Sequence, residues 1–295
     1  MGKKGKKAQA GKPKKLTPKD IGKRLDALVV QLEKELEGAD LFAPLLPTED
    51  YPICLVPLSR ISEQTDYKAC CGKVICLGCI GENQKFADKK MKQVCPFCRE
   101  VKPPSNEGCV RQLETRAKKG DPLAWCFLGL YFGSSRIAKK DILRGIDCWI
   151  RAIEFGDLRA CGLISGCYRN GNGVSADEER ALLFQQVGAL RGDIISRHGL
   201  GFMEYQSGNH EVGVRHWKIA AEGGMQLSLD ELKSIFNANG KKPGYEFIRK
   251  EDLDKVYRVC HEAQGEVKSE EREKHANAFD TSEEHGKWYS EKFKC

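Results

Sequence analysis

Tyr51-Pro52-Ile53-Cys54, Cys70-Cys71-Gly72-Lys73-Val74-Ile75-Cys76-Leu77-Gly78-Cys79 and Cys95-Pro96-Phe97-Cys98-Arg99 hold seven of the fourteen cysteines in about a sixth of the chain. Fifteen residues separate Cys54 from Cys70, and fifteen separate Cys79 from Cys95. Cys76/Cys79 and Cys95/Cys98 have the C-x-x-C spacing that lets one tight turn present two thiolates to a tetrahedral zinc at ~2.3 Å. A lone pair of this kind would also suit redox chemistry. Two pairs with a third cysteine group between them point to structural metal.

Outward from that stretch, composition sets the frame. The chain of 295 residues has room for two domains, and a 40% hydrophobic content is enough for globular cores. No apolar run approaches the ~18 residues a membrane span needs, and the lysine-rich start lacks the apolar core of a secretory signal. The expectation is an intracellular protein, cytoplasmic or nuclear, with no membrane partner. In that reducing compartment the cysteines read as metal ligands plus free thiols. Cys109, Cys126, Cys148, Cys161, Cys167, Cys260 and Cys295 are scattered, several of them on helical apolar faces where cysteine acts as a small hydrophobe.

The cysteine stretch resembles the RING-type zinc finger, whose eight ligands form four pairs. In that family the first and third pairs bind one zinc while the second and fourth bind another. The resemblance implies one set of Cys54, Cys76 and Cys79 and a second of Cys70, Cys71, Cys95 and Cys98. Two departures shape what it implies. Lys73 stands near where a RING usually has histidine, and the first histidine anywhere is His198, so both sites must be built without imidazole. Tyr51 stands where the first cysteine belongs, which leaves one complete zinc site and one short of a ligand. Water, Glu49 or Asp50 are candidates for the missing donor. Cys70 and Cys71 are adjacent, so a local turn is needed if both are to coordinate.

A domain of about fifty residues buries too little apolar surface to fold alone, so metal would supply folding free energy of order 10 kcal/mol per intact site. RING domains recruit a ubiquitin-conjugating enzyme without forming a covalent intermediate of their own. By resemblance the contact surface includes Ile53, Leu55 and Pro96, and Arg99 matches the position of a cation that contacts both ubiquitin and that enzyme. An open zinc position also suits hydrolysis, but no general base lies nearby in sequence, and that reading is not favoured.

The net charge of +7 is local: residues 1–24 carry ten basic residues against Asp20 alone, and the remainder is slightly acidic. Residues 1–16 read as a disordered basic tail, capable at most of weak, salt-sensitive contact with nucleic acid. Thr17 and Pro18 then open a helix, with Ile21, Leu25, Leu28, Val29, Leu32 and Leu36 at helical spacing up to Gly38. That stripe is expected to pack beside the zinc module. Residues 39–50, with Pro44 and Pro47, read as a linker into the module at 51–101.

Beyond Arg99, residues 102–119 are linker and helix start. Gly120-Asp121, Gly156-Asp157 and Gly192-Asp193 then recur 36 residues apart, and Gly223-Gly224 closes a third unit. Leu128-Gly129, Ile164-Ser165 and Leu200-Gly201 fall at one position of a first helix, and Trp149, Gln185 and Trp217 at one position of a second. Units of this length accommodate two short helices and two turns, and glycine ends the second helix of each. The fullest unit, Tyr168-Arg169-Asn170-Gly171-Asn172-Gly173-Val174 with Asp177 and Ala181, resembles the Sel-one-like repeat, a relative of the tetratricopeptide repeat. Three such repeats span 120–224, a degenerate capping repeat spans 225–278, and 279–295 is a flexible tail.

The expected fold is a small zinc-stabilised α+β RING module followed by an all-α helical-repeat solenoid. Trp149 and Trp217 are expected in the core. Basic and acidic residues balance across 120–224, which argues against nucleic acid on the repeats. The implied function is ubiquitin ligation, with the conjugating enzyme on the zinc module and a protein target on the repeats. The alternative is a zinc-stabilised interaction scaffold without transfer activity.

Overall fold

The structure, a computed structural model, describes residues 16–54, 60, 65–86, 94–133, 141–238 and 245–266. The basic tail, Leu55 and the C-terminal stretch from residue 267 lie outside the described residues. Helix α1 spans Pro18–Leu36. A small α+β unit follows, with β1 at Thr65–Lys68, β2 at Lys73–Cys76 and α2 at Leu77–Phe86. Then come α3 (Asn106–Ala117), α4 (Pro122–Gly133), α5 (Ile142–Glu154), α6 (Arg159–Asn170) and α7 (Glu178–Leu190). The chain continues with α8 (Ile194–Gln206), α9 (His210–Glu222), α10 (Gln226–Asn237) and α11 (Lys250–Glu266). Among the described residues no helix is long and apolar enough to cross a membrane.

Helices α4 to α9 form a helical-repeat solenoid of hairpins, α4/α5, α6/α7 and α8/α9, each packed on the next, with α10 and α11 closing the far end against α9. The Gly-Asp landmarks explain the joints. Gly120, Gly156, Gly192 and Gly224 all have φ between +83° and +93° or just above, at +95° for Gly192, a region that glycine enters without steric cost. The aspartate after each of the first three glycines then caps the next helix. Asp121 accepts from the Ala124 N–H at 3.3 Å, Asp157 from Ala160 at 2.9 Å and Asp193 from Ser196 at 2.9 Å. At the fourth joint Met225 occupies that place and offers no side-chain cap.

The paired positions inside each unit are matched in size. A Cβ on Gly129 would lie 2.3 Å from Trp149 Nε1, and one on Gly201 would lie 2.7 Å from Trp217 Cδ1. In the middle unit Gln185 replaces tryptophan, and Ser165 replaces glycine and donates to the Ala181 carbonyl at 2.8 Å. Trp149 and Trp217 are both buried. The scattered cysteines 126, 148, 161, 167 and 260 are buried free thiols, and burial pushes Cys148 and Cys161 up to about 12. Cys109 departs from that expectation, being disulfide-bonded.

The partner of α1 is not the one expected. Its stripe of Ile21, Leu25, Leu28, Val29 and Leu32 is buried against α5 and α7 of the solenoid, in one cluster with Ile150, Ile153, Phe184 and Val187. Ion pairs explain the choice of surface: Arg24 reaches Asp147 and Glu154, Asp26 meets Arg180 at 2.8 Å, and Glu35 accepts twice from Arg191 at 2.8 Å. Residues 39–50 are also more than a linker. The Leu41 carbonyl accepts from buried Arg197 at 2.5 Å, and Phe42 stacks on His216 at 4.7 Å with the Arg215 guanidinium 3.6 Å from its ring. The N-terminal segment therefore straps α5, α7 and the α8/α9 hairpin before the chain enters the cysteine unit.

Candidate metal centre

Three local turns aim the sulfurs. Between β1 and β2, which pair antiparallel with Thr65 opposite Cys76, the chain reverses through Ala69–Gly72. Gly72 takes φ +73°, and its N–H and that of Cys71 both bond the Lys68 carbonyl. This tight loop lets adjacent Cys70 and Cys71 face the same way. At the other end, Val94 and Val101 form a bridge, Cys95 N–H bonds the Glu100 carbonyl at 2.8 Å, and Arg99 N–H bonds the Cys95 carbonyl at 3.0 Å. Arg99 closes that knuckle at φ +63°, an uncommon conformation for a residue with a Cβ. The third turn carries β2 into α2, where Cys79 N–H points at Cys76 Sγ at 3.3 Å.

The result is two groups of thiols. Cys70, Cys71, Cys95 and Cys98 lie with their sulfurs within 4.8 Å of one another, and so do Cys54, Cys76 and Cys79. Sulfur separations of 3.9 Å for Cys71–Cys95 and 3.4 Å for Cys70–Cys98 compare with an edge of ~3.8 Å for a tetrahedron of ~2.3 Å zinc–sulfur bonds. The four-thiol group therefore fits a tetrahedral metal, and both adjacent cysteines belong to it. The three-thiol group, with Cys54 and Cys76 sulfurs at 3.8 Å, lacks a corner, and neither Glu49 nor Asp50 joins it. Tyr51 is 1% exposed and packs with Cys76, with Cys54, Val74 and Cys79 around it.

Burial and crowding raise thiols in both groups, with one exception. Burial, then the neighbouring sulfurs of Cys98 and Cys95, drives Cys70 well above the usual thiol range. Burial likewise raises Cys79, with Cys76 and Cys54 adding to it, and carries Cys71 up to about 11. At Cys95 burial also pulls upward, but the backbone N–H groups of Cys98 and Phe97 outweigh it and the net direction is down. Crowded sulfurs that resist ionising together are what a cation would relieve.

Of the contact residues, Ile53 is exposed at 40% and Pro96 is half-buried, beside Phe97 at 43%. Arg99 is exposed, and its guanidinium lies 3.4 Å from Asn83 Oδ1 on α2. One functional feature went unread in the sequence. Tyr67 on β1 donates to Asp121 at 2.7 Å and stacks on Phe127 at 5.1 Å, while Arg116 pairs with the same carboxylate at 3.2 Å. The cysteine unit is thereby mounted on the first repeat through the aspartate that caps α4. The signal was Tyr67 itself, an aromatic on a strand too short to bury it internally.

Two solved structures are similar to this chain. A Sel1 repeat protein from Oxalobacter formigenes matches at 28% identity over 54% of this chain and 64% of that chain, with a TM-score of 0.45. The protective antigen c5321 of uropathogenic Escherichia coli, which displays an SLR fold, matches at 23% identity over 53% and 33%, with a TM-score of 0.44. This chain therefore spans less than two thirds of the length of either. No family model and no curated protein matches it.

Proposed function

We propose that the cysteine unit is a RING-type module held by zinc, that it recruits a ubiquitin-conjugating enzyme, and that the solenoid holds a protein target. The observation that carries this reading is the alternation of the thiol groups. Along the chain the donors run Cys54, then Cys70 and Cys71, then Cys76 and Cys79, then Cys95 and Cys98, yet in space the first goes with the third and the second with the fourth. Such interleaving ties the two ends of a sparsely packed unit together. The exposed apolar residues Ile53 and Phe97, with Arg99 two residues after Phe97 in the same knuckle, are of the kind an enzyme partner would cover.

The target surface follows from what the N-terminal strap leaves open. Helix α1 covers α5 and α7, and Leu41–Phe42 reach Arg197 on α8 and His216 on α9, whereas Leu158, Ile195, Phe202 and Leu227, on or just ahead of first helices, are exposed. A protein docking there would cover residues with no other evident reason to be apolar. Autoubiquitination of the full chain with a panel of conjugating enzymes tests the transfer step. Activity that falls tenfold or more in Arg99→Ala supports it, and silence of both proteins across the panel rejects it.

A second reading has its own observation. Tyr51 in the corner of the three-thiol group favours a scaffold in which the module only orients partners and transfers nothing. Under that reading the target still binds the solenoid, and zinc removal weakens binding without any change in ubiquitin chemistry.

A further inference from the structure

The three-thiol group is the part of the cysteine unit that zinc does not explain. Structural zinc takes four donors, and here Cys54, Cys76 and Cys79 supply three with no carboxylate or imidazole among the described residues of the group. Tyr51, which is 1% exposed, packs against these thiols in one cluster with Cys76, Cys54, Val74 and Cys79. A neutral phenol with a pKa near ~10 is a poor zinc ligand, and its ring makes the corner apolar. The donor set that remains is uniformly soft. All-thiolate sites take copper(I) as well as zinc, and the number of donors decides between them: zinc asks for a fourth, whereas closed-shell copper(I) is content with three.

We infer that Cys54, Cys76 and Cys79 form a three-coordinate thiolate site for a soft monovalent cation, copper(I), with Tyr51 shielding the position a fourth ligand would take. The site differs from its neighbour in kind: Cys70, Cys71, Cys95 and Cys98 close a tetrahedron, and Cys54, Cys76 and Cys79 close a triangle. Binding is simple ligand exchange, in which copper(I) replaces the thiol protons and no electron is transferred. The inference rests on the reading of this unit as metal-held, and its test separates the two.

The full-length protein is loaded with zinc, freed of excess metal, and given one equivalent of copper(I) anaerobically from a competing chelator. Metal is then counted per chain, and absorption at the copper edge counts the sulfur neighbours. The expected result is one zinc retained and one copper bound by three sulfurs. Tyr51→Cys should restore a second tight zinc, raising zinc affinity at this site by more than about 100-fold, since even ligand-supporting groups contribute 10–100-fold. Cys79→Ser should lose the copper and keep one zinc. Two tightly held zincs in the wild type that copper leaves in place, or copper that displaces zinc from the four-thiol group first, would overturn the copper site alone. A chain that takes up neither metal overturns both the site and the zinc reading beneath it.

Discussion

Between Tyr51 and Val101 the buried apolar side chains among the described residues are Tyr51, Ile75, Cys76 and Cys95. Between Pro122 and Glu222 every helix contributes several, including Leu128, Trp149, Ile164, Phe184, Leu200 and Trp217. Both regions are compact, but they are compact for different reasons. The solenoid repeats one solution, a glycine-terminated helix followed by an aspartate-capped one, and gains apolar burial each time. Among its described residues the cysteine unit has one hairpin, one short helix and two sulfur clusters, and on the proposed zinc reading coordination fixes its shape to an extent that it does not in the solenoid.

Stripping the metal is the strongest way to break this contrast. A chelator should cost the cysteine unit on the order of 10 kcal/mol per intact site, enough to unfold it outright. Hydrogen exchange should then lose protection across Thr65–Cys76 while α5 to α9 keep theirs. Protection that survives at Ile75 would mean the unit folds by burial after all.

Next in size is a change inside the solenoid. Gly201→Val would put branched carbon where even a Cβ lies 2.7 Å from Trp217 and 3.0 Å from the Gly213 carbonyl. The expected loss is about 3 kcal/mol from overpacking, read as a lower urea midpoint with zinc content unchanged. Ser165→Ala, at the matched position of the middle unit, removes one buried hydrogen bond and should cost about 1 kcal/mol. A larger loss there than at Gly201 would break the size-matching account.

Acid should act on the strap. Burial, then the Arg197 and Arg215 charges, lowers the His216 imidazole to about 4, beneath its ordinary value of 6.5. The unfolded chain therefore takes up that proton first. Stability from this group is fully present above pH 6.5 and declines as pH falls toward 4, by about 3 kcal/mol at 1.36 kcal/mol per unit. The fall in unfolding free energy from pH 7 to pH 4 should be smaller by that amount in His216→Gln than in wild type. Equal pH dependence in the two proteins would remove His216 as the source.

The smallest effects sharpen the description of the joints. Asp157→Ala removes a helix cap and should cost about 1 kcal/mol, whereas Met225→Asp adds one where α10 starts without a side-chain cap and should stabilise by about 0.5–1 kcal/mol. Thermal midpoints of the two variants should move in opposite directions.

These contrasts also show what could be read beforehand. The repeat was legible because its landmarks are backbone requirements: a glycine at positive φ and a following aspartate are imposed by local geometry, whatever packs around them. The sulfur groups were legible because spacing decides which thiols a tight turn can bring together. The surface that receives α1 was not, because an apolar stripe demands a cover without naming one; Arg24, Asp26 and Glu35 choose it through residues more than a hundred positions away. Residues 39–50 read as linker from their prolines, and only the distant Arg197 and His216 make them a strap. Tyr67 was passed over for the same reason, its partner Asp121 lying 54 residues on.

Glu35 and Arg191 stand 156 positions apart in the chain. At a synthesis rate of about 5–20 residues per second, α1 leaves the ribosome roughly 10–30 s before the helix that will shelter it exists. For that interval its five buried aliphatic side chains wait in water without their cover. A segment made early is thus among the last to settle, and the growing chain carries an uncovered apolar stripe until α7 arrives.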